Sequence, residues 1–188
     1  MESSQEIKEL EENLVALLDY AAANLKFCRE IFEQLAVTNP VKAGIVIDKT
    51  NPRNFYRTYI ANLHFHEVIF VLNSLFAPSW EEISFKEYLK LKPNTKIERK
   101  VLENKTYILD EKLDKYRDKI LAHKDIKSFG DPIFFQFRRR DISKIKKLEE
   151  IIKETKDLCS KEFTDLIVSN NIFLDNIKEG FELCNENK

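Results

Sequence analysis

The sequence predicts an all-helical protein, and three observations carry that expectation. Turn formers are scarce, with 3 Gly and 5 Pro in 188 residues, whereas strand-rich folds need many tight turns. Apolar residues recur at steps of three and four over long stretches. The stretches with that spacing are amphipathic helices that gain most of their stability by packing on one another. The expected architecture is an up-down four-helix-type bundle with a short extra helix and an irregular Phe-rich arm. A chain of this length favours one domain, spanning 1–188, with a sizeable core. Hydrophobic residues make up 43% and charged residues 34%, the balance of a globular chain.

The first helix is expected from about Gln5 to Val37. Its stripe is Leu10, Leu14, Leu17, Ala21, Leu25, Cys28, Phe32 and Leu35. Two Asn-Pro pairs and a Gly break the pattern in "TNPVKAGIVIDKTNPRN", whose "GIVI" is expected to pack on the bundle. The second helix, about Asn54 to Phe76, is apolar almost all round and so belongs in the centre. Asn62, His66 and Asn73 share one side of it with Tyr59. Polar groups on such a helix either bond to neighbouring helices or line a polar cleft.

Ser84 and Glu87 are spaced as a capping box for a short helix, "SFKEYLKL". "KPNT" is a turn, and a third long helix is expected from Thr95 to about His123. Gly130, Asp131 and Pro132 interrupt the pattern, and the Phe run after them predicts an extended arm or hairpin. Asp141 or Ser143 is expected to cap a fourth long helix that runs past Cys159 to about Ser169. A last helical piece follows the break at "SNN" and ends near Cys184.

The formal net charge of −1 argues against a protein coated in positive charge, as many duplex DNA binders are. A local basic patch remains in "FRRRD", where Arg138, Arg139 and Arg140 either begin a solvated helix or hold phosphates. Cys28, Cys159 and Cys184 are few, odd in number and far apart, without paired metal-ligand spacing, which fits a reducing compartment. The first residues, "MESSQEIKELEE", have no apolar signal core, and the longest apolar run, "VIFVL", is too short to span a bilayer. The expectation is a soluble cytoplasmic protein with no membrane partner and no cofactor. His64 and His66 point to different faces of their helix, and no nearby Cys or carboxylate pair completes a metal shell.

"KLDKYRDKILAHKDIK" is the stretch where chemistry is most concentrated. On a helical wheel Leu109, Leu113, Tyr116 and Ile120 form the apolar stripe. Arg117 falls about 80° to one side of the stripe and His123 about 40° to the other, some 9 Å apart along the axis. One helix cannot easily bring both onto a single atom. Two copies meeting across a two-fold axis pool two arginines and two histidines in one cleft. A fixed guanidinium and an imidazole near its working pKa are what metal-free phosphodiester cleavage needs. An Arg and a His near a helix C-terminus also suit the helix dipole without any function.

"YRDKILAHKD" resembles the signature helix of the HEPN superfamily, in which an Arg with a polar follower precedes a His by four to six positions, often in an Ala-His pair. Here those residues are Arg117, Asp118, Ala122 and His123. A long first helix, an apolar second helix ending "VLNSLFAPS" and a spacer helix before the signature agree with it, most closely with the abortive-infection (AbiU-like) branch. The same loose spacing from Arg57 to His64 lacks the Ala-His pair. The resemblance implies an all-helical bundle that dimerises through the helix carrying Arg117 and His123. It also implies a metal-independent endoribonuclease of a toxin–antitoxin, abortive-infection or other antiviral defence system, with an antitoxin or defence protein as a further partner.

By the same resemblance His123 is the general acid or base, Arg117 stabilises charge on the phosphate, and Asp118 orients one of them or touches RNA. Lys119, Lys124, Lys127, Arg138, Arg139 and Arg140 are candidate RNA contacts, although solvated surface is the plainer reading of each. Asn62 and His66 are candidates to line the cleft. Some family toxins carry a Tyr two places after the His that a partner enzyme modifies. Asp125 stands there in this chain, so that regulation is not expected. Other members of the superfamily are non-catalytic nucleotide- or protein-binding dimer modules, which is the alternative reading.

Overall fold

The computed structural model describes residues 2–37, 44–46, 52–78, 83–111, 113 and 136–163. They form five helices and one two-stranded antiparallel pair: α1 (Glu2–Val37), β1 (Gly44–Val46), α2 (Pro52–Phe76), α3 (Phe85–Leu91), α4 (Thr95–Asp110), β2 (Gln136–Arg138) and α5 (Arg139–Glu162). The class is all-helical apart from that small ribbon.

α1 buries one face completely. Leu14, Leu18, Ala21, Leu25, Cys28 and Phe32 follow one another at alternating steps of four and three and are all sealed from solvent. The register differs from expectation here: Leu18 carries the stripe and Leu17 flanks it half-buried. Both lie in the apolar sector of the wheel, and α2 and α5 choose between them by packing.

Pairs of side chains give the helix directions. Asn24 of α1 meets His64 of α2, and Cys28 Sγ donates to the Ala61 carbonyl at 3.1 Å, so α1 and α2 run antiparallel. Arg29 meets Glu149 at 2.7 Å and Lys156 meets Asp19, so α1 and α5 are antiparallel too. Lys96 with Glu162 and Asn104 with Thr155 set α4 antiparallel to α5. One apolar cluster draws on all five helices, with Phe76 stacked on Phe85 and Tyr88 tilted against Phe163.

Caps mark the short elements. The Glu87 N–H donates to Ser84 Oγ at 3.4 Å, the expected start of α3. Asn94 Oδ1 accepts from the N–H groups of Lys96 and Ile97 at the start of α4. α4 is shorter than the periodicity suggests. It stops at Asp110, and Glu111 sits in a turn with its N–H on the Tyr107 carbonyl at 3.0 Å. No Gly or Pro marks that turn, so the apolar spacing runs straight through it. The continuation to His123 lies outside the described residues, as do the last part of the expected fourth helix and the final helical piece.

The described end of the Phe-rich arm, Gln136–Arg138, pairs with a strand far back in the chain. β2 pairs with β1 in the register Gly44–Arg138, Ile45–Phe137 and Val46–Gln136. The pairing follows from the helices. β1 comes next after α1 in the chain, β2 leads straight into α5, and the end of α1 lies beside the start of α5, since those two helices are antiparallel neighbours.

Candidate functional site

Leu113 is the described residue that leads into the stretch carrying the expected site. It is 7% exposed, and its carbonyl accepts from Asn73 Nδ2 at 3.5 Å. The same amide donates to the Ile69 carbonyl at 2.8 Å. Asn73 is itself buried, and its Oδ1 has no hydrogen-bond partner among the described residues. A buried carboxamide oxygen left without a donor is costly, so α2 holds an acceptor ready beside the start of that stretch. Arg117, Asp118, Lys119, His123, Lys124 and Lys127 lie outside the described residues.

The basic triplet has a placed backbone. Arg138 is the last residue of β2, opposite Gly44, and Arg139 and Arg140 open the first turn of α5. Their side chains lie outside the described residues. Further along α5, Lys144 pairs with Glu111 at 2.6 Å. That pair ties the early part of α5 to the turn just before Leu113.

On α2, Asn62 is half-buried and His66 is 8% exposed. Burial pushes the His66 imidazole down to about 4, so it is neutral at physiological pH. His64 points elsewhere, to α1. Its Nδ1 lies 2.5 Å from Asn24 Oδ1. A carboxamide oxygen only accepts, so Nδ1 carries the proton and Nε2 is the basic nitrogen. Phe27 packs against the ring at 4.4 Å, and burial lowers its pKa while Glu67 partly offsets that. Among the described residues no group of three or more His, Cys, Asp or Glu is placed to hold a metal ion.

The Asn24–His64 link and the Asn104–Thr155 bond at 2.9 Å were not expected from the sequence. Each pairs polar groups inside apolar stripes, and a polar residue at a stripe position was the available signal. Cys28 and Cys159 are free and buried, and burial pushes both thiols up, Cys159 to about 12. Neither is a nucleophile at neutral pH. Among the described residues no helix is long and apolar enough to cross a membrane.

No protein-family model, no curated protein and no solved structure matches the chain.

Proposed function

We propose that the chain is a HEPN-type, metal-independent endoribonuclease of a cytoplasmic defence or toxin–antitoxin system, acting as a homodimer. The observation that carries the reading is the Arg117, Asp118, Ala122, His123 pattern on an all-helical scaffold. The junction around it supports the reading. Asn73 donates to the Leu113 carbonyl, and the Lys144–Glu111 pair holds the early part of α5 beside the same turn.

In this reading His123 of one copy takes the 2′-hydroxyl proton, and the 2′-oxygen attacks the adjacent phosphorus. The bond from phosphorus to the 5′-oxygen breaks, and His123 of the other copy protonates that oxygen. The products are a 2′,3′-cyclic phosphate and a free 5′-hydroxyl. Arg117 stabilises the charge that builds on the phosphate oxygens at the pentavalent stage. Asp118 orients the pair, and the nearby lysines and arginines hold flanking phosphates.

The test is RNA cleavage in EDTA by the wild type, Arg117→Ala and His123→Ala. Each variant is expected to lose on the order of 10²–10⁴-fold in rate. Equal cleavage by wild type and both variants sinks the mechanism. Binding of nucleotide without cleavage, unchanged by His123→Ala, supports the non-catalytic dimer module instead.

A further inference from the structure

α2 carries a second feature that the ribonuclease reading does not use. Its first four turns, from Pro52 to His66, hold two arginines, Arg53 and Arg57, and no Asp or Glu. In a chain with 32 acidic residues among 188, such a gap is uncommon. On other helices exposed cations have a carboxylate at hand, as Lys90 has Glu87, Lys100 has Glu154 and Lys147 has Glu150. The α1 carboxylates level with this end of α2, Glu30 and Glu33, are taken by Lys26 and Arg29.

Beside the arginines stand exposed rings. Tyr56 is 65% exposed and Tyr59 45%, and Leu63 and Phe70 continue the row at 43% and 48%. The row is the open side of a seam, Tyr56, Tyr59, Leu63, His66, Phe70 and Asn73, spaced at alternating steps of three and four. His66 and Asn73 are covered by the chain itself. On the helix the four open side chains fall within about 60° of one another, and Arg53 and Arg57 lie about 60° and 100° from Tyr56 in the opposite direction. Arg53 is exposed and Arg57 partly so. The helix thus presents an aromatic row and a guanidinium row side by side. Tyr56 and Tyr59 are one turn apart, as are Arg53 and Arg57, which sets each pair about 5–6 Å apart at Cβ.

We infer that the first turns of α2 are a stacking platform for a single nucleic-acid strand, with neighbouring bases on Tyr56 and Tyr59 and their phosphates on Arg57 and Arg53. Chemistry selects that occupant. Every base has a π-face, so stacking on a tyrosine asks for no particular sequence. The backbone joining stacked bases carries one anion per nucleotide, and the guanidinium row runs alongside at matching spacing. A duplex shows base edges in its grooves, not base faces, so rings on a convex helix have nothing to stack on. An apolar partner helix would cover the rings and leave the arginines without an anion. Tyrosine suits a surface that is empty part of the time, because its hydroxyl stays in water while its ring binds.

The platform uses neither Arg117 nor His123, and stacking makes no use of the 2′-hydroxyl, so DNA and RNA strands share it. The inference does not rest on cleavage: a chain that holds a strand on α2 and never cuts it bears it out.

Fluorescence anisotropy of a labelled oligothymidine of about 12 nucleotides, titrated with the full chain in EDTA, tests it. That strand has no 2′-hydroxyl, so cleavage cannot blur the reading. The wild type is expected to bind with a Kd of roughly 1–100 μM at low salt, and a duplex of the same length about ten-fold more weakly. Tyr56→Ala and Tyr59→Ala should each cost about 5- to 100-fold, and Tyr56→Phe should keep wild-type affinity. Arg57→Gln should bind more weakly and flatten the slope of log K against log salt by about 0.7. Circular dichroism checks that each variant keeps its helices. A wild type that binds no strand overturns the proposal and gives the aromatic row to a protein partner. Equal affinity for strand and duplex, tyrosine-to-alanine variants that bind as the wild type does, or an unchanged salt slope in Arg57→Gln also overturns it. Oligouridine bound while oligothymidine is ignored overturns it too, and places the strand at the ribonuclease stretch.

Discussion

α1 and α2 show the same three-and-four spacing and treat it in opposite ways. On α1 the stripe from Leu14 to Phe32 is sealed by the chain's own helices. On α2 a stripe of the same period leaves Tyr56, Tyr59, Leu63 and Phe70 in solvent while its other flank builds the core through Val68, Ile69, Leu72 and Leu75. α1 puts charge wherever it is not buried, with Lys26–Glu30 and Arg29–Glu33 pairs along its outer face. α2 has almost no charge to put there. Apolar periodicity therefore says that a face is to be covered, and charge on the rest of the helix says whether the chain covers it alone.

Phe32→Ala should open a cavity in the sealed stripe of α1 and lower stability by about 3–5 kcal/mol in urea unfolding. A loss under about 1 kcal/mol would mean that the face is less tightly packed than its burial implies, and the contrast would weaken. His66 gives the next largest effect, and it lies on the closed side of the α2 seam. Its folded pKa of about 4 is below the ordinary histidine value of about 6.5. The unfolded chain therefore binds the proton first as pH falls. The stability that His66 contributes is complete above about 6.5 and is lost between there and about 4, roughly 2 kcal/mol of it by pH 5. Denaturation series at pH 7 and pH 5 should show that loss in the wild type and a flatter profile in His66→Gln.

The smallest effect should come from the open side. Phe70→Ser, unfolded at low micromolar concentration where chains are separate, should change stability by no more than about 0.5 kcal/mol. If it cost as much as Phe32→Ala, the α2 stripe would be core and not surface, and the comparison would fail.

Much of the helix layout was readable from spacing and caps. Ser84 and Asn94 start α3 and α4 as short-range chemistry requires, and the Phe76 end of α2 was marked by "APS". The end of α4 at Asp110 was not readable, because no Gly or Pro interrupts an apolar period that continues past it. The partner of β2 was unreadable for a different reason: β1 lies far back along the chain, and only the antiparallel packing of α1 on α5 brings the two together. Within the site, Arg117 and His123 came from a local pattern. The contacts at the near edge of that stretch, Asn73 on Leu113 and Lys144 on Glu111, join distant elements and no local pattern announces them.

The crossing of α1 by α5 also sets a schedule for synthesis. Arg29 and Glu149 are 120 residues apart in the chain. At roughly 5–20 residues per second on the ribosome, the partner helix emerges about 6–24 s after the first one. During that interval α2 can cover part of the α1 stripe, but the side that waits for Ile145, Leu148 and Ile152 stands open. The newborn chain thus spends its most aggregation-prone seconds showing the very face that is best hidden in the finished fold.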